Sequence, residues 1–473
     1  MQQLTSLFKK HTGKDNPTIE ALPSSGSNRR YYRLTSGGTS LIGVHGQSKD
    51  ENNAFIELSK HFYSNKLNVP KVLIVSDDLI YYLQEDLGDT VLFDAIRAGR
   101  NTGVFSHEEK ELLHKTVSKL ADFQVEGAKN LDFKVCYPQS EFNERSVHWD
   151  LNYFKYSFLK TTGMEFQENL LEDDFERLAQ KLLADKTNTF LFRDFQSRNV
   201  MLVNNEPYFI DFQGGRKGPV YYDVASFLWQ AKANFPDDLR NELLETYMTS
   251  LSKHFPVDRD SFLEQLRHFV LFRILQVLGA YGFRGYFEKK PHFLQSVPFA
   301  LNNLREILKS DFPEYPYLSE VMKEMIDLKQ FADTQKEELE VRVISFAYKK
   351  GIPNDPSGNG GGYVFDCRAI NNPGKFERFS NLTGLDKPVI DFLTEEGEMV
   401  TYLDSIYKLV DNHVKRYIDR SFTHLMIAFG CTGGQHRSVY AAQNVAEHIS
   451  KKFGVKVSLI HREQNLMQEF KKR

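Results

Sequence analysis

Three oxygen-bearing side chains occur in an order that suits phosphoryl transfer from a nucleotide. Asp194 and Asn199 are separated by four residues, and Asp211 follows a short apolar stretch. A kinase needs one Asp to accept the proton of the attacking hydroxyl, and it needs an Asn and a second Asp to hold magnesium on the phosphates. We therefore predict that Asp194 is the catalytic base and that Asn199 and Asp211 bind Mg²⁺.

The residues between these side chains predict how they meet. Val200 to Val203 and Tyr208 to Ile210 are short apolar runs separated by an Asn-Asn pair, which is typical of a hairpin. Such a hairpin would return Asp211 to the neighbourhood of Asn199. The alternative is that all three are ordinary turn and cap residues, but an Asp bracketed by apolar strands favours phosphotransfer.

Three segments together resemble the aminoglycoside phosphotransferase and choline kinase superfamily: Arg193–Asn199, Ile210–Gln213 and Gly218–Ser226. Within it, they are most similar to the bacterial anomeric kinases of N-acetylmuramate and N-acetylglucosamine. The resemblance covers about the first 325 residues and implies a two-lobed protein-kinase-like domain. It also implies phosphorylation of the C1 hydroxyl of an amino sugar by ATP and Mg²⁺, in cell-wall recycling. Asp223 would be a buried structural acid.

A loop rich in small residues precedes the predicted strands Tyr31–Leu34 and Ser40–Val44, where a kinase small lobe would hold phosphates. An ordinary loop is the alternative. The predicted ATP-binding residues of this loop are Ser25, Gly26, Ser27, Arg29 and Arg30. The second strand lacks the Lys that many kinases place there. Our hypothesis is that Arg29 or Arg30 replaces this Lys, and a degenerate kinase scaffold is the alternative.

Leu79–Gly88 is predicted to be a strand that leads into the hinge between two lobes, and the resemblance places adenine near Glu85 and Leu87. A strand followed by a turn is equally consistent with the pattern. A further cluster of polar and aromatic residues suits a sugar, although it also suits a helix with one aromatic face in the core. Its members are Arg145, His148, Trp149, Asp150 and Asn152.

The composition of the 473 residues is that of a soluble globular chain, with 41% hydrophobic and 26% charged residues. No apolar run is long enough to span a bilayer, and the N-terminus lacks the apolar core of a signal peptide. The three cysteines are few and odd in number, which favours a reducing cytoplasm. We expect a cytoplasmic protein with no membrane partner.

We expect two modules joined by a polar linker. The kinase-like domain would span residues 1–325, with a small lobe of about 1–88 and a large lobe of about 89–325. The linker would span residues 326–338, and a smaller α/β domain would span residues 339–473.

The predicted second module contains three strands, a Gly-rich loop and a helix. The strands are Leu339–Phe346, Tyr363–Arg368 and His424–Phe429; the loop is Gly430–Ser438, and the helix runs from about Val439 to Phe453. A helix N-terminus after such a loop favours phosphate binding. A cysteine phosphatase using Cys431-x5-Arg437 is one alternative, and a plain Gly-rich turn is another.

The run Cys431–Tyr440, with Val364–Arg368 and Thr383–Val389, resembles the C-terminal domain of the RNase adapter protein RapZ over nearly all of residues 341–473. In that family the domain senses glucosamine-6-phosphate and takes part in binding small RNAs. The resemblance implies a phosphorylated amino-sugar site formed by Asp366, Thr432, Gly433, His436 and Arg437.

Two features depart from the RapZ pattern. Gly374-Lys375 stands where that family usually has His-Trp, and the N-terminal P-loop motif does not occur in this chain. Residues 341–473 hold 19 Lys and Arg against 14 Asp and Glu, a net charge of +5, which is small for a strong RNA binder. Our leading hypothesis is an amino-sugar kinase with a phosphosugar-binding module. The alternative is an RNA-binding regulatory adapter with a degenerate kinase scaffold.

Overall fold

The computed structural model describes residues 1–22, 29–185, 187–328, 339–355, 362–395, 397–419 and 422–470. The chain divides into two compact units, Met1–Asp333 and Thr334–Arg473. Among the helices in these described ranges, none combines the length and the apolarity needed to cross a bilayer.

A five-stranded antiparallel sheet opens the first unit, with strand order β1-β2-β3-β5-β4. Its strands are β1 (Thr18–Ala21), β2 (Arg30–Ser36), β3 (Thr39–His45), β4 (Val72–Val75) and β5 (Tyr81–Glu85). The helices beside it are α1 (Gln2–Thr12) and α2 (Lys49–Ser64). Alternate residues of β3 point to opposite faces, so Leu41 packs with α1 while Ile42 and Val44 join the main core.

The rest of the first unit is mostly helical. Its helices are α3 (Leu92–Ala95), α4 (Arg97–Thr102), α5 (His107–Glu126), α6 (Glu144–Ser157), α7 (Glu168–Leu182), α8 (Tyr221–Leu228), α9 (Asp237–Leu251), α10 (Arg259–Gly282), α11 (Val297–Ile307) and α12 (Pro316–Ile326). Its strands are β6 (Thr189–Leu191), β7 (Val200–Val203), β8 (Glu206–Phe209) and β9 (Arg216–Gly218), with β6 paired to β9 and β7 paired to β8.

Aromatic side chains anchor the segments that carry the predicted catalytic residues. Phe192 packs against Phe123 of α5 with ring centroids 4.9 Å apart, and Phe195 meets Phe209 of β8 edge-on, also at 4.9 Å. All four rings are almost fully buried. Burying an aromatic ring stabilises a core by roughly 1.5–3 kcal/mol, so the backbone on either side of Asp194 is held firmly.

The second unit is built around a five-stranded sheet in the order β11-β12-β10-β13-β14. Its strands are β10 (Glu340–Ala347), β11 (Gly362–Asp366), β12 (His424–Cys431), β13 (Lys456–His461) and β14 (Leu466–Phe470), and its helices are α13 (Lys387–Glu395), α14 (Glu398–Asp419) and α15 (Arg437–Phe453). The first four strands are parallel and β14 is antiparallel. The strand β12 is a nearly continuous apolar run because both faces of a parallel sheet are covered.

The predicted fold class is confirmed, although several element ends differ from the prediction, such as the end of β12 at Cys431 instead of Phe429. β11 ends at Asp366 rather than Arg368, because the Asp366 carboxylate accepts the Arg368 N–H and starts a 3₁₀ turn. α15 begins at Arg437, two residues before the predicted start at Val439.

Candidate functional site

Asp194, Asn199 and Asp211 lie next to one another in the first unit. The hairpin predicted after Asn199 is present, and both Asn204 and Asn205 adopt the positive φ that its tight turn requires. The Asn199 amide donates to the backbone oxygen of Asp194 at 2.9 Å and to Asp211 Oδ2 at 3.3 Å. The hairpin therefore returns Asp211 to the loop that carries Asp194.

The two carboxylates have different surroundings. Asp194 is exposed and accepts a hydrogen bond from Gln196, whereas Asp211 is more enclosed and accepts one from Gln213 at 2.7 Å. Burial, together with the nearby charge of Asp194, raises the pKa of Asp211 above its ordinary value. The Asp211 carboxylate and the Asn199 amide oxygen are donors of the kind that Mg²⁺ prefers, and a cation there would favour the charged form of Asp211.

We call residues 193–199, which include Asp194, the catalytic loop. Asp223 fixes the backbone at the start of this loop. It is fully buried and accepts the backbone N–H groups of Phe192 at 2.8 Å and Arg193 at 3.0 Å, together with the Gln124 amide at 3.1 Å. Burial raises the pKa of Asp223 to about 7, although these donors favour its charged form. Arg193 has φ +73° and Asp211 has φ +62°, a conformation that non-glycine residues adopt only when their surroundings impose it.

An ion pair between Arg29 and Glu51 links the sheet of the first unit to α2. The two side chains are 3.2 Å apart, and the Arg29 guanidinium lies over the Phe55 ring, 5.4 Å from its centroid. Phe55 stacks at 4.7 Å on Phe212, the residue after Asp211. The positive charge of Arg29 opposes the rise in the pKa of Asp211, which places the guanidinium near that carboxylate.

The other residues predicted to bind the nucleotide lie in different surroundings. Arg30 is exposed on β2, while Ser25, Gly26 and Ser27 lie outside the described residues. Glu85 ends β5, and neither the N–H nor the carbonyl of Leu87 has a hydrogen-bond partner in the described part of the chain. A free backbone edge of this kind is what an adenine ring needs for recognition.

Asp86 anchors the segment between Glu85 and Leu87. It accepts hydrogen bonds from Arg33 Nε at 2.7 Å and from Ser40 Oγ at 2.5 Å. Because Arg33 lies on β2 and Ser40 on β3, the predicted hinge is tied to the sheet.

The residues predicted for a sugar pocket lie on different faces of α6. Asp150 is buried and pairs with Arg193 of the catalytic loop at 3.0 Å. His148 instead faces Glu176 at 3.2 Å, and Trp149 is 52% exposed. Among the described residues, no hydrogen bond or ion pair joins the loop to the remaining two, Arg145 and Asn152. Of these five residues, only Asp150 thus pairs with a neighbour of the predicted base, Arg193.

In the second unit, the residues predicted to bind phosphate surround the start of α15. His436 Nε2 lies 3.0 Å from the Phe379 carbonyl, and Arg437 Nη1 donates to the carbonyls of Arg368 and Ile370. The buried Arg437 Nε has no hydrogen-bond partner within the described ranges. The charge of Arg437 also contributes to a lowered pKa of Asp366, after the larger effect of the Arg368 side chain.

The loop between β12 and α15 exposes Thr432 and Gly433, whereas Cys431, the last residue of β12, is buried. The Cys431 sulfur is buried and accepts the Gly434 N–H at 3.2 Å. Gly374, at the position where the RapZ pattern has His, lies beside the ring of His436: a Cβ there would be 3.6 Å from Cε1. The departure from the family pattern is therefore adjacent to the predicted ligand residues.

The family model described as "Phosphotransferase enzyme family" matches residues 18–260, which is 243 of the 473 residues. The chain belongs to this family. The model described as "RapZ C-terminal domain" matches residues 339–465. The predicted fusion of a kinase-type phosphotransferase domain with a RapZ C-terminal-like domain is confirmed.

Curated relatives of this phosphotransferase match only part of it. A nucleotide-binding protein of Xylella fastidiosa strain M12 is 37% identical over 134 residues, covering 28% of this chain and 44% of the relative. One from Xanthomonas campestris pv. campestris strain B100 is 37% identical over 136 residues, covering 29% and 46%. The chain thus spans less than half the length of these relatives.

Solved structures with likeness to the phosphotransferase include choline kinase from Cryptosporidium parvum Iowa II, at 10% identity and TM-score 0.45, covering 70% of this chain and 99% of that chain. Another is a thermostable mutant of aminoglycoside phosphotransferase APH(4)-Ia in ternary complex with AMP-PNP and hygromycin B. It has 14% identity and TM-score 0.43, covering 66% of this chain and all of that chain. The family assignment rests on the family match, since both TM-scores are below 0.5.

The sequence alone does not reveal the partner of Arg29 in the phosphotransferase. Glu51 is 22 residues away, and its position depends on the N-cap of α2 at Ser48, whose side chain accepts the Glu51 N–H. An N-cap Ser followed three residues later by Glu is a helix-start signal. It would have placed Glu51 in the first turn of a helix that follows the predicted strand pair.

Proposed function

We propose that the first unit transfers the terminal phosphoryl group of ATP to a hydroxyl of an amino sugar, of the N-acetylmuramate or N-acetylglucosamine type at C1. The observation that carries this proposal is the convergence of Asp194, Asn199 and Asp211 through the β7–β8 hairpin. Membership of the phosphotransferase enzyme family supports the reaction class. The acceptor follows from the resemblance to anomeric sugar kinases.

Asp194 is the base in this proposal. Its carboxylate is exposed, so an acceptor hydroxyl can approach it and pass its proton to the free oxygen, while Gln196 holds the other oxygen. Asn199 and Asp211 would hold Mg²⁺, which when bound neutralises the charge of the nucleotide phosphates. Asp223 fixes the backbone at Phe192 and so keeps the carboxylate of Asp194 in position.

Arg29 supplies the positive charge that other kinases take from a Lys on the next strand. Its pairing with Glu51 and its place over Phe55 orient the guanidinium toward the region of Asp211. An arginine can donate two parallel hydrogen bonds to phosphate oxygens. This pair favours an active enzyme over a degenerate scaffold.

Phosphorus NMR on a mixture of the full chain, ATP, Mg²⁺ and each candidate acceptor tests the proposal. The acceptors are N-acetylmuramate, N-acetylglucosamine, glucosamine, choline and an aminoglycoside. We expect a new phosphomonoester signal, at the anomeric position, only with the N-acetylated amino sugars. Transfer to choline or to the aminoglycoside alone would contradict the proposed acceptor, and transfer to none would contradict a kinase function.

For the second unit, a proposed role is the binding of a phosphorylated amino sugar at Asp366, Thr432, Gly433, His436 and Arg437. The exposed loop before α15 and the unpartnered Arg437 Nε support this role, because a ligand oxygen would satisfy that buried donor. The N-terminus of α15 adds a favourable dipole for an anion.

A pair of substitutions at Gly433 tests this site. A Cβ there meets no atom within 4 Å and the backbone φ is ordinary, so both Gly433→Ala and Gly433→Asp should fold. In calorimetry on the full chain with glucosamine-6-phosphate, we expect Gly433→Ala to bind like the unaltered chain and Gly433→Asp to lose at least tenfold in affinity. Equal affinities for the two variants would remove the loop from the site.

A further inference from the structure

A group of three cations lies beside the catalytic loop and is not used by the proposed mechanism. We call Arg100, Arg198 and Lys232 the basic cluster. Arg198 is the residue immediately before Asn199, Arg100 lies on α4, and Lys232 follows α8. Three segments that are distant in sequence therefore bring positive charge to one place.

Contacts with one aromatic ring and one backbone oxygen hold the cluster together. The guanidinium carbons of Arg100 and Arg198 are 3.4 Å and 4.4 Å from the centroid of the Phe93 ring. Arg100 also donates to the backbone oxygen of Lys232 at 3.3 Å. The Phe93 ring provides cation–π attraction but no negative charge.

The basic cluster has no paired carboxylate: within the described part of the chain, none of its three members forms an ion pair. The acids that act on Arg100 are occupied elsewhere: Asp94 pairs with Arg97 at 2.8 Å, and Glu109 accepts the Gly99 and Ser106 N–H groups.

Repulsion between the like charges of the basic cluster contributes to lowered pKa values of two of its members. Partial burial first, and then the charges of Arg198 and Arg100, lower the pKa of Lys232 to about 8. Burial and the charge of Arg198 likewise lower the pKa of Arg100 to about 10. Uncompensated like charges cost free energy, and an anion placed among them would recover it.

Arg198 of the basic cluster lies in the segment between Asp194, the proposed base, and Asn199. Arg29 instead lies over the ring of Phe55, which stacks on Phe212, the residue after Asp211. The nucleotide phosphates would thus lie near Arg29, and the basic cluster would lie near the acceptor.

We propose that the basic cluster recognises a negatively charged group on the acceptor, so that the enzyme prefers an alcohol bearing a carboxylate or phosphate over its neutral analogue. This inference rests on the proposed function and names the acceptor class of the same site. Lys232 and Arg198 are the two members with no hydrogen bond to another described residue through their charged ends, so they would contact the anion directly.

Matched acceptors test this inference through the specificity ratio, which is kcat/KM for an anionic sugar divided by kcat/KM for N-acetylglucosamine. N-acetylmuramate bears a carboxylate, N-acetylglucosamine is neutral, and N-acetylglucosamine-6-phosphate separates phosphate from carboxylate as the preferred anion. We expect kcat/KM for at least one anionic sugar to exceed that for N-acetylglucosamine by tenfold or more. Lys232→Gln and Arg198→Gln should each lower this ratio about tenfold, whereas Lys253→Gln, at an exposed site, should leave it unchanged.

The possible outcomes separate this inference from the proposed function. Turnover of the sugars with no preference for an anion, or with a ratio that the cluster variants do not alter, would overturn the inference and leave the kinase function standing. A raised KM for ATP with an unaltered ratio would assign the cluster to the nucleotide and also overturn it. Turnover of none of the sugars would contradict the proposed function and the inference together.

Discussion

The catalytic loop of the first unit and the loop before α15 in the second unit handle charge in opposite ways. In the first, the carboxylate of Asp194 is exposed, and buried Asp223 fixes the backbone behind it. In the second, the side chains of His436 and Arg437 turn inward to backbone carbonyls, while the loop backbone at Thr432 and Gly433 is exposed. The first arrangement suits proton transfer and metal binding, and the second suits only the holding of an anion.

The surroundings of Cys431 also suit anion binding rather than catalysis. A cysteine phosphatase needs a reactive, accessible thiolate with an arginine that reaches the bound phosphate. Here the sulfur is buried, and Arg437 Nη1 is committed to two carbonyl oxygens. The geometry favours binding over hydrolysis at this loop.

Removal of the proposed base should have the largest effect on activity, and this effect should be confined to the first unit. We expect Asp194→Asn to lower kcat by about 10²–10⁴-fold, because a general base contributes that much to proton transfer. Steady-state kinetics with the preferred sugar measure this loss. Asp173→Asn, which removes an exposed carboxylate of α7, is the matched control and should be fully active. Retained turnover in Asp194→Asn would remove Asp194 from the mechanism.

Substitution of the buried anchor should affect both stability and activity. Asp223→Asn leaves at least one of the Phe192 and Arg193 N–H groups without an acceptor, which costs about 1–3 kcal/mol. Denaturant unfolding should show this loss in the transition of the first unit, with a fall in kcat in the protein that remains folded. An unchanged unfolding midpoint would show that Asp223 does not hold the loop.

Arg29, which pairs with Glu51, can be compared directly with its exposed neighbour Arg30. We expect Arg29→Gln to lower kcat/KM for ATP about tenfold, equivalent to roughly 1.4 kcal/mol, and Arg29→Lys to lower it less because charge is kept. Arg30→Gln should have a smaller effect, because Arg30 is exposed on β2. A larger loss in Arg30→Gln than in Arg29→Gln would exchange the roles of these two arginines.

The smallest expected effect is a dependence of acceptor preference on pH. Since the pKa of Lys232 is lowered to about 8, this side chain is charged at pH 6.5 and neutral at pH 9.5. The ratio of kcat/KM for an anionic sugar to that for N-acetylglucosamine should fall severalfold as pH rises through 8. Using a ratio cancels ionisations common to both sugars. The fall should disappear in Lys232→Gln, and a ratio that rises with pH would contradict the assignment.

Local features could be predicted from the sequence because short-range rules determine them. An Asn-Asn pair between apolar runs requires a tight hairpin, and the spacing of Asp194, Asn199 and Asp211 then follows from that hairpin. The apolar β12 and the Gly-rich loop after it predicted a strand and helix start, with an error of two residues at α15.

Features that depend on packing between distant segments could not be predicted. The polar and aromatic residues of α6 suit a sugar pocket by type, but helix packing pairs only Asp150 among them with the catalytic loop. The basic cluster joins α4, the catalytic loop and the segment after α8, and no local pattern relates these segments. Sequence spacing predicts which residues share a helix face, but it does not identify what that face meets.

Metal binding tests the convergence of Asp194, Asn199 and Asp211 most directly. Electron paramagnetic resonance can follow Mn²⁺, used in place of Mg²⁺, as it binds to the full chain with a non-hydrolysable ATP analogue. We predict one nucleotide-dependent Mn²⁺ site whose affinity falls at least tenfold in Asp211→Asn and in Asn199→Ala, and not in Asp173→Asn. Equal Mn²⁺ affinity in all four proteins would contradict the account.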